Sequence, residues 1–140
     1  MKMYQIFAFI SMLFAGLTSV VAKVGLKNVS GDTGLAVRTS FVFLFIWLNI
    51  VMFHSLKEFT HLTRKDIIFL GLSALTTSLS WIFYYKAIKI GNVSEVALID
   101  KASIVLTLFL AIVFLREPLT WQILVGCLLI LAGLWVLVLK

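Results

Sequence analysis

The sequence predicts an all-α integral membrane protein made of five transmembrane helices. Three observations carry this. The chain has 140 residues, is 62% hydrophobic and has a mean hydropathy of +1.13, more apolar surface than a soluble domain of this size can hide. Its apolar residues gather in long unbroken runs, each close to the roughly 20 residues a helix needs to cross a bilayer. These runs are too continuous for the alternating strands of a membrane β-barrel. Finally, Lys and Arg number 12 against 6 Asp and Glu, and the basic residues collect between the runs, where anionic lipid head groups are met. No polar domain carries a basic face, so nucleic acid is not an expected partner. The expected surroundings are the lipid bilayer, with a multi-pass chain in the cell (cytoplasmic or inner) membrane.

The first helix is expected over about Tyr4–Ala22. Lys2, the apolar run and Val20-Val21-Ala22 also resemble a cleavable signal peptide. Removing it would leave no soluble domain, since more apolar runs come after it, so the run is expected to be a transmembrane helix. Ser11, Ala15, Thr18, Ala22 and Gly25 recur at spacings of three and four, a small-residue stripe for close packing or a polar path. Lys23 and Lys27 stand next at the boundary, and residues 28–34 read as a turn-rich loop. The second helix, about Leu35–Phe53, is bulky and aromatic through Phe41, Phe43, Phe45 and Trp47, and Arg38 one turn in is expected to snorkel to the interface. The polar segment His54–Asp66 reads as an interfacial loop, with Thr63 and Asp66 capping the third helix. His54 and His61 lack carboxylate or thiol partners, so no metal site is expected.

The third helix is expected over about Ile67–Ile90. Gly71, Ala74, Ser78, Trp81 and Tyr85 share one face, with Trp81 and Ser78 as candidate pocket wall and Tyr84 as a candidate for the interfacial aromatic belt. Lys86 and Lys89 suit the negative C-terminal end of this helix, and Gly91 terminates it. The fourth helix, about residues 94–115, begins at once; Asn92 and Glu95 form a capping-box pattern. Asp100, Ser103 and Thr107 lie on one face of a continuous helix, while Lys101 points about 100° away. Ionisable groups near membrane depth are costly, which makes Asp100 and Lys101 functional candidates. Pro118 is expected in the first turn of the fifth helix, about residues 119–139. In that helix Gly126, Ile130 and Gly133 make a narrow packing ridge, and Cys127 reads as a small buried residue.

The run Tyr84-Tyr85-Lys86-Ala87-Ile88-Lys89-Ile90-Gly91-Asn92-Val93-Ser94 resembles the junction of the third and fourth helices in EamA-domain proteins of the drug/metabolite transporter superfamily. Val96-Ala97-Leu98-Ile99-Asp100-Lys101, Phe114-Leu115-Arg116-Glu117 and Gly126 with Leu129-Ile130 and Gly133 continue the likeness. It is closest to short bacterial and archaeal members with one five-helix unit, a half-transporter occupying residues 1–140. Many relatives carry proline where Leu98 stands, so the kink it would give is not expected from this residue.

The resemblance implies a secondary transporter or exporter of a small metabolite, with no cofactor and no enzymatic activity. Larger relatives have two inverted halves and a cavity lined by the first, third and fourth helices of each. By that likeness the candidate substrate or coupling residues are Thr18, Lys23, Ser78, Trp81, Tyr85, Asp100, Ser103 and Thr107, with Lys86 and Lys101 beside them. The lysines favour an anionic or zwitterionic solute. With five spans, one side of the membrane receives Lys2, Lys57, Arg64, Lys65 and Arg116, five in all. The other receives Lys23, Lys27, Arg38, Lys86, Lys89, Lys101 and Lys140, seven in all. So small a bias permits insertion both ways up, and two oppositely oriented copies would form the inverted layout of a transporter as an antiparallel homodimer. The alternatives are a subunit of a lipid-linked-sugar flippase and a non-transporting membrane assembly subunit.

Overall fold

The computed structural model describes residues 2–53 and 56–138, and among these it is helical throughout, with no strand. Helix α1 is Met3–Gly25, α2 is Gly31–Phe53, a short 3₁₀ turn covers Leu56–His61, and α3 is Arg64–Ile90. Then come α4 (Val93–Lys101), α5 (Ser103–Leu115) and α6 (Trp121–Val138). α1, α2, α3 and the run Val93–Leu115 are each long and apolar enough to cross a membrane. α6 is also apolar but has only 18 residues, about 27 Å of helix. Among the described residues there are therefore four helices of crossing length and one shorter apolar helix, five apolar helices in all. His54, Leu139 and Lys140 lie outside the described residues.

Backbone contacts divide the chain into two compact units, Met1–Ile90 and Gly91–Lys140. In the first, α2 begins at Gly31, four residues before the expected Leu35, because Ser30 caps it. The Ser30 Oγ accepts the Thr33 N–H at 3.1 Å, the Ser30 carbonyl accepts the Gly34 N–H at 2.9 Å, and Asp32 places a carboxylate in the first turn. α3 begins at Arg64 behind the cap foreseen in the sequence. Asp66 Oδ2 accepts the Thr63 N–H at 2.9 Å and the Thr63 hydroxyl at 2.7 Å, while the Thr63 Oγ1 accepts the Asp66 N–H at 3.3 Å. Trp47 of α2 stacks on Phe59 of the 3₁₀ turn, with centroids 5.7 Å apart.

Burial in this unit is confined to one end, where Leu26, Gly31, Leu35, Tyr85 and Ile88 pack together. The long apolar faces of the helices stay exposed, as lipid-facing surfaces do. Between helices in lipid the hydrophobic effect supplies little, so association rests on close approach and polar bonds. Gly31 provides the close approach: a Cβ there would sit 3.0 Å from the carbonyl carbon and oxygen of Tyr85 and 3.1 Å from the Lys86 nitrogen.

The polar bonds come from two lysines. Lys23 Nζ of α1 donates to the carbonyls of Ile88 (2.5 Å) and Lys89 (3.2 Å) at the C-terminal end of α3. Lys89 Nζ of α3 returns the arrangement, donating to Leu26 (2.5 Å) and Lys27 (3.0 Å) just beyond α1. The last carbonyls of a helix have no partners within it and carry the negative end of its dipole. Each helix thus supplies the cation for the other's end, where the sequence suggested that Lys89 would serve its own.

In the second unit the expected fourth helix is interrupted at Ala102. The Ala102 N–H bonds to Ile99 O and the Val105 N–H to Ala102 O, each at 3.0 Å, a tighter three-residue pattern at the joint. α4 starts after Asn92, whose carbonyl accepts the Val96 N–H at 3.0 Å and whose Nδ2 donates to Glu95 Oε1 at 3.4 Å. The capping pair meets side chain to side chain, without the expected bond from Asn92 to the helix backbone. α5 ends on Arg116 in the left-handed conformation (φ 54°), the one non-glycine residue with positive φ among those described. Pro118 lies before α6, not in its first turn, because Thr120 caps the helix: its carbonyl accepts the Leu124 N–H at 3.1 Å and its Oγ1 the Ile123 N–H at 3.4 Å.

The packing of the first unit makes two stability predictions, both read by equilibrium unfolding in detergent micelles. Gly31→Ala should cost about 1–3 kcal/mol through overpacking against the Tyr85 backbone. Gly16→Ala, with no neighbour within 4 Å of the new Cβ, should instead gain about 0.5–1 kcal/mol of helix propensity. Lys89→Met should cost about 1.5–3 kcal/mol by removing charge-assisted bonds to carbonyls, whereas Lys27→Met, at an exposed neighbouring position, should change stability by less than about 0.5 kcal/mol.

Candidate functional site

The first unit carries an open cavity of about 750 Å³ between α1, the turn after it, α2 and the end of α3. Its walls are mostly apolar, with Phe14, Leu17, Val21, Val37 and Phe41 prominent, and its polar lining consists of Thr18, Thr33, Arg38 and Tyr85. A largely apolar concavity with few convergent polar groups is the ordinary form of a small-molecule site. Thr18 returns its hydroxyl to Phe14 O at 2.8 Å, as helical threonines do, which leaves oxygen lone pairs for other partners.

Arg38 is the residue sequence reasoning placed wrongly. It does not snorkel outward, because α2 starts earlier than expected and Arg38 stands about 10 Å into the helix at 1.5 Å per residue. Its guanidinium carbon lies 4.4 Å from the centroid of the Trp81 ring and 5.8 Å from that of Tyr85. Trp81 and Tyr85, one turn apart on the face read from the sequence, thus meet a cation from α2. Arg38 Nη1 and the Tyr85 hydroxyl are both buried and have no hydrogen-bond partner among the described residues. The signal was present in the sequence: Gly31, Gly34, Arg38 and Phe41 repeat at three, four and three, a stripe hidden by reading residues 28–34 as loop.

The other candidates have different places. Lys23 serves the α3 carbonyls and does not line the cavity. Lys86 pairs with Asp32 at 3.4 Å, both side chains more than half exposed, an arrangement worth about 0–1 kcal/mol. Ser78 is exposed and bonded to Ala74 O at 2.8 Å. Tyr84, expected in the interfacial belt, reaches α1 and donates to Ser19 Oγ at 2.7 Å; Ser19 in turn donates to Ala15 O at 3.3 Å.

In the second unit a cavity of about 540 Å³ is lined by Lys101, Ser103, Ile104 and Thr107, with Leu129, Ile130 and Gly133 of α6 opposite. Asp100 is not part of this lining. Asp100 and Lys101 themselves come together, Nζ to Oδ2 at 4.0 Å, with the lysine two-thirds exposed. Among the described residues no three potential metal ligands cluster.

Helices of membrane-crossing length, together with a solute-sized cavity whose polar groups converge inside an apolar wall, define a multi-pass membrane protein of the solute-handling kind. The chain belongs to the EamA-like transporter family, which it matches over residues 2–139. It is also 33% identical over 130 residues, 93% of this chain and 92% of the other, to a Sinorhizobium sp. protein named "Uncharacterized transporter in cobO 3'region". No solved structure matches it.

Tyr85→Phe is the direct test of the unpartnered hydroxyl. Where a buried tyrosine is bonded, losing the hydroxyl costs about 1 kcal/mol; where it has no partner, the same change removes a desolvation penalty of about 1–3 kcal/mol. Tyr85→Phe is therefore expected to hold or raise the apparent Tm of the purified protein without added solute.

Proposed function

We propose that residues 1–140 form one EamA-like half-transporter with five membrane crossings, acting as a secondary transporter or exporter of a small metabolite in the cytoplasmic or inner membrane. Two oppositely inserted copies work as an antiparallel homodimer, without a cofactor. The observation that carries this reading is the cavity of about 750 Å³ walled by α1, α2 and α3, the helices of crossing length, with Thr18, Thr33, Arg38 and Tyr85 as its polar groups. Family membership and the transporter named among its relatives support it. Thr18, Trp81 and Tyr85 are assigned to solute contact, Ser103, Thr107 and Lys101 to the path through the second unit, and Asp100 to ion coupling. Lys23 holds α1 to the end of α3, while Lys86 and Ser78 are assigned to the solute path beside these groups.

The reading is tested by uptake of a labelled metabolite panel into proteoliposomes under an imposed proton gradient. Wild-type protein should accumulate at least one solute, and Asp100→Asn should lower gradient-driven accumulation at least about tenfold while leaving the dimer seen by crosslinking intact. Accumulation by Asp100→Asn at the wild-type rate would remove Asp100 from coupling. A reporter fused to the N-terminus that labels every copy from one side only would exclude the antiparallel arrangement.

A further inference from the structure

Resting on the transporter reading, we infer that the cavity of the first unit selects an organic anion, a carboxylate on an apolar body whose head is held by Arg38 and Tyr85. The starting point is an accounting of the cations at this end of the unit. Lys23 and Lys89 are bonded to backbone carbonyls, and Lys86 is paired with Asp32. Arg38 has no carboxylate within salt-bridge distance among the described residues, and its Nη1 donor is buried without an acceptor. A permanent charge about 10 Å into a membrane-crossing helix is costly, and a residue retained at that cost is a functional candidate by default.

The geometry points to the ligand. Contact with the Trp81 and Tyr85 rings holds the guanidinium in place and offsets part of its desolvation while using none of its N–H donors. The Tyr85 hydroxyl, on a residue only 3% exposed, is a second unused donor beside the same cavity. Two donors, one of them permanently charged, are a match for a planar carboxylate, which accepts but does not donate. A cationic solute would meet like charge, and a neutral amide would gain less from the guanidinium. The rest of the wall sets the body: Phe14, Leu17, Val21, Val37 and Phe41, each more than half exposed, line the open cavity with apolar surface, which favours a hydrocarbon or aromatic group and gives nothing to a bare inorganic ion.

An anionic lipid head group shares the charge of such a solute, so the test must separate the two. The full-length protein is placed in nanodiscs of phosphatidylcholine alone or with one-third phosphatidylglycerol, and benzoate, benzamide, benzylamine and inorganic phosphate are titrated calorimetrically. Benzoate should bind in both lipids, ahead of the other three probes. Arg38→Gln should weaken benzoate about tenfold or more and Tyr85→Phe about fivefold. Arg38→Lys should not restore wild-type affinity, because an ammonium lacks the planar fork. If Arg38→Gln does not fold, Tyr85→Phe, which keeps the ring, carries the test. The inference is overturned if benzamide, benzylamine or phosphate binds as tightly as benzoate. It is likewise overturned if benzoate binding is unchanged in the Arg38→Gln or Tyr85→Phe protein, or is abolished by phosphatidylglycerol. Asp100-dependent uptake of a cation or a neutral solute would overturn the anion assignment while leaving the transporter reading standing.

Discussion

Two lysines that cross between helices set the geometry on which the rest of the first unit depends. α1 and α3 end at the same place, so two sets of unpaired carbonyls and two negative dipole ends are brought side by side. Unanswered, that arrangement is repulsive. Lys23 and Lys89 resolve it reciprocally, each ammonium reaching two carbonyls of the opposite chain segment. Because each bond joins one helix to the other's end, the pair fixes the register of α1 against α3. Tyr84 adds a third point of attachment further along through Ser19. With that register set, Thr18 of α1 and Tyr85 of α3 open onto one volume.

The same knot determines where α2 goes. The turn after α1 buries Leu26, and α2 leaves from Gly31 directly against the backbone of Tyr85 and Lys86, a position no side chain could share without displacement. From there Arg38 is carried over Trp81. Each contact is modest alone: a cation–π pair is worth about 0.5–2 kcal/mol, comparable to the cost of leaving one buried donor unpaired. The sum leaves an arginine and a tyrosine positioned but not satisfied. Buried polar groups in folded proteins are usually bonded, so unsatisfied ones inside a cavity are where a protein departs from its own packing rules for a purpose.

How much of the structure could be read in advance depends on the range of each signal. Long apolar runs depend only on the bilayer, so the helices were legible, as was the Thr63–Asp66 cap, whose partners are three residues apart. The face of Trp81 and Tyr85 was legible because periodicity inside one helix is local. Contacts across helices were not. Arg38 read as a snorkelling residue because Gly31 and Gly34 look like loop formers, and only the contact with Tyr85 and Leu26 explains two glycines in a helix start. The crossing of Lys23 and Lys89 was equally hidden: each lysine has helix-end carbonyls nearby in its own sequence, and nothing local says that it uses the other set. Pro118 was misplaced because proline suits a first helical turn, but Thr120 supplies a better cap two residues on.

The joint at Ala102 is a change of winding confined to a single step. A regular helix turns 100° per residue, whereas a three-residue bonding pattern turns closer to 120°. A single such step advances everything beyond it by about 20°, which keeps Asp100, Ser103 and Thr107 within about 40° of one another around the axis. No proline is needed for this: residue 98 is a leucine, and the winding still changes at Ala102. The cavity of the second unit is lined by Lys101, Ser103 and Thr107, while Asp100 stands outside the lining and 4.0 Å from the lysine. With the lysine two-thirds exposed, solvent screens the pair, which is worth about 0–1 kcal/mol and leaves the Lys101 charge available to the cavity.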